Sequence, residues 1–376
     1  MLAQRPPMGW NTWNTFGSNI NEQLIRESAD AFVEKGLKDA GYEYLVIDDC
    51  WSEYNRDPVT DRIVPHHEKF PNGMKVVADY VHSKGLKFGM YSCDGVRTCA
   101  DYPGSFDHEF LDAQTFAEFG VDYLKYDNCY RPNSSVGANL YRRMGMALRA
   151  TGREILFSAC NWGSDDVWSW IRSSGAHMYR STGDIVDNPE SYRNIANSQA
   201  DKLGYSAPGC FNDIDMLTVG MYGKGLVGST GCNEADYRSQ FALWCMYSAP
   251  LMLGCDIRSI DEKTLALVTN KELLRIDQDA EARPPIIFKA GWNEDCRAML
   301  KFLENGEYAL GLFNMGEKDH ELCAMFTDFG LTASSGYALK LKDVFTSEEV
   351  GTYKEYFRAP VPAHDCRVYR AQMVRV

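Results

Sequence analysis

Acidic, basic and aromatic side chains gather where apolar runs of this sequence end. Trp10 and Trp13 close the first run, Asp48 and Asp49 the second, and Tyr91 falls in the third. Lys125 and Asp127 end the fourth, Cys160 and Trp162 the fifth, Arg180 and Asp184 the sixth, and Asp213 and Asp215 fall in the seventh. Such a mixture suits a sugar. Carboxylates and lysine hydrogen-bond hydroxyls, and an aromatic ring covers the apolar C–H face of a pyranose. Two carboxyls on neighbouring strands can also flank a glycosidic bond, one as nucleophile and one as acid and then base. Each feature has a plainer reading. Asp48-Asp49 is also a turn pair. Lys125 and Asp127, two apart on one strand face, also make an ion pair. Trp10 and Trp13 also pack cores. His66-His67 reads as an exposed loop pair, because no third ligand stands at suitable spacing.

The elements that would position these groups follow one repeated pattern. A helical stretch ends at a glycine and an apolar strand follows at once: Leu24 to Leu37, then Gly41; Val77 to Val81, then Gly85; Phe110 to Ala117, then Gly120; Leu140 to Leu148, then Gly152. Glycine just past a helix caps it in the left-handed conformation. Helix, glycine, strand implies parallel strands with crossover helices. Further strands are expected at residues 8–13, 176–184, 209–217 and 250–257, making eight, and no GxGxxG fingerprint follows the first. The expected fold class is therefore α/β, a closed (β/α)8 TIM barrel, whose catalytic groups sit at the carboxyl ends of its strands. From about residue 286 short alternating runs replace the helical periods, which predicts a C-terminal antiparallel β-sandwich. The expected domains are residues 1–283 and 286–376.

Composition narrows the function. With 39 basic against 52 acidic residues the net charge is -13, and no basic stripe appears, which excludes nucleic acid and anionic membrane as expected partners. No apolar stretch is long enough to span a bilayer, and the N-terminus lacks the apolar core of a signal peptide. The 12 cysteines are scattered without metal-ligand spacing, which reads as buried thiols in a reducing compartment. A cytoplasmic protein with no metal and no cofactor is expected; homo-oligomerisation is left open.

Six segments then carry a resemblance: Arg5-Pro-Pro-Met-Gly-Trp-Asn-Thr-Trp13, Tyr44-Leu-Val-Ile-Asp-Asp-Cys-Trp51, Thr98-Cys-Ala-Asp-Tyr-Pro-Gly-Ser105, Tyr123-Leu-Lys-Tyr-Asp-Asn-Cys129, Arg180-Ser-Thr-Gly-Asp-Ile185 and Asn212-Asp-Ile-Asp-Met-Leu217. In number, order and spacing they resemble glycoside hydrolase family 27, the family of α-galactosidases and α-N-acetylgalactosaminidases. The resemblance implies Asp127 as nucleophile and Asp184 as acid/base. It implies Asp48 and Asp49 as ligands of the axial O4 and O6 of galactose, Lys125 as a ligand of O3 and O4, and Arg180 as a ligand of ring hydroxyls. Trp13 and Tyr91 would wall the sugar, and Cys160 with Trp162 would fill the space beside C2 that an acetamido group needs. Lys125 is expected to favour ionised Asp127, while Asp127 would raise and Arg180 would lower the pKa of Asp184.

Some positions depart from the family pattern. Phe211 and Ile214 stand where Trp and Pro are common, and Cys93 stands where an acid is frequent. Ser18 replaces a cysteine that pairs, in secreted relatives, with the one at Cys50; Cys99 and Cys129 still match another family bridge. The implied activity is that of a retaining exo-α-galactosidase acting through a covalent glycosyl-enzyme. α-N-acetylgalactosaminidase or β-L-arabinopyranosidase activity, a metal-dependent hydrolase using Asp48, Asp49, Asp213 and Asp215, and a non-catalytic galactoside-binding protein stand as alternatives.

Overall fold

The computed structural model describes residues 2–290 and 295–376. Met1 and residues 291–294, which fall within the two expected domain spans, lie outside the described residues.

Eight parallel strands form the first sheet: β1 (Met8–Asn11), β2 (Tyr44–Val46), β3 (Lys87–Cys93), β4 (Tyr123–Asp127), β5 (Leu156–Cys160), β6 (Met178–Arg180), β7 (Phe211–Asp213) and β8 (Leu251–Leu253). Their order runs β7-β6-β5-β4-β3-β2-β1-β8. The ring closes four residues beyond β7, where Leu217 pairs with Leu253 and the Leu217 amide donates to the Met252 carbonyl at 2.8 Å. Nine helices punctuate the strands among the described residues: α1 (Trp13–Phe16), α2 (Glu22–Glu34), α3 (Met74–Ser83), α4 (Glu109–Phe119), α5 (Gly137–Ala150), α6 (Pro189–Gln199), α7 (Glu234–Tyr247), α8 (Glu262–Val268) and α9 (Lys271–Asp277). Side-chain caps start several of them. The Asn21 side chain accepts from the Leu24 amide before α2, and Asn233 with Asp236 forms a reciprocal capping box before α7. Gly120, at φ 88°, ends α4 in the left-handed conformation that the sequence pattern required.

The strand ends are shorter than expected. Trp13 lies in α1 rather than on β1, Asp184 in the loop after β6, and Asp215 between β7 and the closing residue Leu217. Asp215 holds φ at 89°, which no strand residue does, so the apolar run that read as one strand is broken there. Trp10 is buried in the outer layer among the helices, its indole donating to the Cys255 carbonyl at 2.7 Å, so of the two indoles its role is packing. The barrel interior is filled instead by Tyr44, Val46, Tyr123, Leu156, Met178, Met216 and Met252.

Beyond α9 the chain is antiparallel. A six-stranded sheet contains β9 (Ile286–Lys289), β10 (Cys296–Phe302), β11 (Glu307–Asn314), β13 (Tyr337–Asp343), β14 (Glu349–Tyr353) and β16 (Cys366–Arg375), and a two-stranded sheet joins β12 (His320–Met325) to β15 (Tyr356–Val361). Alternation sorts the faces. Leu300, Leu310, Leu312 and Leu341 meet Leu322, Phe357 and Val361 of the small sheet, completing a β-sandwich. Met299, Ala309, Phe313 and Val368 face the other way and join the core of the barrel. Arg238 of α7 adds a two-pronged contact to Asp365, at 2.8 and 2.9 Å.

Candidate active site

All ten site residues expected from sequence line one pocket at the carboxyl end of the barrel: Trp13, Asp48, Asp49, Tyr91, Lys125, Asp127, Cys160, Trp162, Arg180 and Asp184. A second cleft, lined among others by Arg5, Asp39, Lys271 and Asp279, opens near the start of β1 at the opposite end, away from these carboxyls.

Strand alternation explains the convergence. On β4, Lys125 and Asp127 face inward, while Tyr126 between them is buried among the helices. Register sets their neighbours: Tyr91 lies beside Lys125, and Cys93 and Cys160 flank Asp127. Lys125 Nζ donates to Asp48 Oδ2 at 2.7 Å, and Asn11 Nδ2 donates to the same oxygen at 2.7 Å. Asp49 accepts from the amides of Cys50 (2.7 Å) and Ala100 (3.1 Å), and burial pushes its pKa up to about 6. The floor is therefore a fixed row of charge, Asp49–Asp48–Lys125. Above it, Asp127 Oδ2 accepts from the Tyr91 hydroxyl and Oδ1 from the Asn128 amide, both at 2.9 Å. Trp162 holds φ at 59° and stays 37% exposed at the wall.

Arg180 is buried and shared. Its Nη2 lies 2.6 Å from Asp184 Oδ1 and 2.8 Å from Asp215 Oδ2. Asp184 lies against the guanidinium with 77% of its side chain exposed. Burial works upward on its pKa, Arg180 works downward by charge and hydrogen bond, and the net shift is down. Asp127 moves the other way: its burial outweighs the charge of Lys125 and the net shift is up. Lys125 favours ionised Asp127 as the sequence implied, but burial outweighs it; at Asp184, where the sequence left two opposing effects, Arg180 prevails. Lys125 spends its hydrogen bond on Asp48 rather than on Asp127, and Arg180 sits in contact with Asp184 rather than at a distance.

Comparison with known proteins places this geometry. Residues 5–279 match the family model described as alpha galactosidase A, and residues 293–371 match the alpha galactosidase C-terminal beta sandwich domain. The chain belongs to the α-galactosidase family. It is 42% identical over 369 residues to an α-galactosidase of Cyamopsis tetragonoloba, covering 98% of this chain and 86% of that protein. It superimposes on α-galactosidase I from Mortierella vinacea with a TM-score of 0.90 at 33% identity, over 98% of this chain and 97% of that one. The Saccharomyces cerevisiae α-galactosidase determined with raffinose matches with a TM-score of 0.89 at 28% identity, over 99% and 98% of the two chains. The chain is thus a glycoside hydrolase of the family that its motifs resemble.

The α-galactosidase pocket holds further residues. Asn14, Cys99, Ile185, Asp215, Met216 and Val227 also line it. Cys99 is disulfide-bonded to Cys129, joining the loops after β3 and β4, whereas the other ten cysteines are unpaired and nine of them buried. Asp215 is the consequential addition. Oδ2 accepts from the Ile185 amide at 2.8 Å as well as pairing with Arg180, Oδ1 accepts from the Met216 amide at 2.6 Å, and Trp244 Nε1 donates to its carbonyl at 2.8 Å. A strained backbone, costing about 1–3 kcal/mol, is thereby pinned on every side. The sequence placed Asp215 at the seventh run and within the segment Asn212–Leu217, but gave it a role only in the metal-dependent alternative.

Proposed function

We propose that this protein is a retaining exo-α-galactosidase that removes terminal α-D-galactosyl residues by double displacement. One observation carries the reading: Asp127 and Asp184 line a single pocket whose floor is the charged row Asp49–Asp48–Lys125. In the first step an Asp127 oxygen attacks the anomeric carbon, and the glycosidic oxygen leaves with the proton of Asp184. In the second, water attacks the same carbon, gives its proton to Asp184 and releases Asp127 as carboxylate. Asp184 must start protonated, although Arg180 disfavours that form in the free protein. Galactose hydroxyls bound to Arg180 would take up part of its hydrogen bonding and relieve Asp184.

The floor row supports recognition of an axial O4 and of O6, and Cys160 with Trp162 supports a hydroxyl rather than an acetamido group at C2. Raffinose-type oligosaccharides are the proposed substrates. A cytoplasmic setting belongs to the same proposal, supported by the ten unpaired cysteines; thiol titration of protein taken from its cells tests whether Cys99–Cys129 is joined there. The substrate test is hydrolysis of matched nitrophenyl glycosides. Preference for the α-galactoside is expected. Preference for the N-acetyl-α-galactosaminide or the β-L-arabinopyranoside would overturn the assignment of the pocket wall.

A further inference from the structure

His66 and His67 lacked a third ligand by sequence spacing, and the fold supplies one. Between β2 and α3 the chain doubles back: Ser52 pairs with Pro65, the Glu53 amide donates to the Val64 carbonyl at 2.9 Å, and the His66 amide donates to the Trp51 carbonyl at 2.9 Å. This hairpin brings Glu53 against both histidines, across thirteen residues of sequence. Ligand atoms of Glu53, His66 and His67 all lie within 4.8 Å of one another.

We propose that Glu53, His66 and His67 bind a divalent cation of the zinc type. The donor set is two imidazole nitrogens and one carboxylate oxygen, which suits Zn2+ with water completing four-coordination. Glu53 is already held in place, because its Oε1 accepts from the His67 amide at 2.8 Å and contacts His67 Nδ1 at 2.6 Å. His66 Nδ1 accepts from the Glu68 amide at 3.2 Å, so it is the unprotonated nitrogen of that ring, and an ion bound there would displace this long hydrogen bond. The two rings stack with centroids 5.3 Å apart and planes 9° apart, so lone pairs lying in those planes do not meet at one point. Convergence on one ion requires one ring to turn, and His67, with 76% of its side chain exposed, has the room. Cys99, Asp127 and Cys129 also cluster at ligand distance, but those two sulfurs are bonded to each other and are not thiolates.

The ion would staple the base of this hairpin. The hairpin begins beside Trp51, whose indole donates to the Tyr91 carbonyl at 2.9 Å.

The test is calorimetric titration of the full chain with Zn2+, paired with a thermal scan, for the wild type, His67→Ala and Glu53→Gln. Both substitutions lie on the surface loop and are expected to leave turnover unchanged, which separates lost binding from lost folding. The wild type is expected to bind one ion saturably with a rise in Tm, and each variant to bind at least about tenfold more weakly. Absence of saturable binding by the wild type would overturn the proposal. Equal binding by all three proteins would also overturn it, by assigning the ion to other groups.

Discussion

At Arg180 two carboxylates compete for one guanidinium, and that competition bears on the chemistry directly. Asp215 shares the Arg180 nitrogen that contacts Asp184, and its negative charge offsets part of the guanidinium's hold on the anionic acid/base. Replacing Asp215 by Asn removes that charge and leaves Arg180 to Asp184 alone. The anion of Asp184 is then favoured, its pKa falls, and the protonated acid disappears at lower pH. The alkaline limb of kcat/KM is expected to move toward acid; an unmoved limb, even with slower turnover, would reduce Asp215 to a structural residue. Asp184→Asn should slow a substrate with a poor leaving group by roughly 10²–10⁴ and a dinitrophenyl galactoside far less, since an activated phenolate needs no proton. Equal losses on both would contradict the acid assignment. At this scale the sequence was informative where motif and chemistry coincided, as at Lys125-Tyr-Asp127 and Arg180-Ser-Thr-Gly-Asp184. It named the charges that act on each carboxyl but not the net direction of the shift, because that depends on how deeply Asp127 is buried and on how closely Arg180 approaches Asp184.

At the scale of elements, the pocket is assembled by loops that follow strands, and its rigidity depends on how those loops are tied. Cys99–Cys129 joins the loops after β3 and β4 across 30 residues. In the chain-entropy account a closure of that size is worth roughly 3–4 kcal/mol, so Cys99→Ser with Cys129→Ser, or reduction of the native protein, should lower Tm and raise KM together. A fall in Tm with KM unchanged would mean that the tie serves stability alone. The fifth strand offers a separate test. Cys160→Ser combined with Trp162→Ala opens the wall and should shift the ratio of activities toward the N-acetyl-α-galactosaminide; a constant ratio would remove these residues from substrate choice. Strands and helices were legible because helix, glycine and apolar run recur with the right periods. The strand ends were not. No glycine or proline after Gly209 marks a break before Leu217, and only the positive φ of Asp215 shows where the ladder breaks before Leu217 closes the ring. The contact of Glu53 with His67 was not legible for a related reason, since the hairpin that delivers Glu53 has no linear spacing to read.

At the scale of the molecule, barrel and sandwich share a core. Met299, Ala309, Phe313 and Val368 belong to the apolar cluster of the barrel, and Lys301 is buried with its ammonium donating to Ser248 at 2.5 Å and to the Cys245 carbonyl at 3.2 Å. Phe313→Ala should therefore cost about 3–5 kcal/mol, seen as a lower Tm of one transition, with kcat/KM unchanged at room temperature. Separate melting of the two parts in the wild type would contradict a common core. Alternation in the C-terminal runs made the sandwich readable. Which face of its large sheet meets the barrel was not, because both faces are apolar: Leu300 and Met299 are neighbours that point to different cores.

The central claim is retention through Asp127, and proton NMR of the first product tests it most directly. Hydrolysis of nitrophenyl α-galactoside is expected to release α-galactopyranose first, with the β-anomer appearing only as the sugar mutarotates. Initial release of β-galactopyranose would mean a single displacement and would contradict Asp127 as nucleophile.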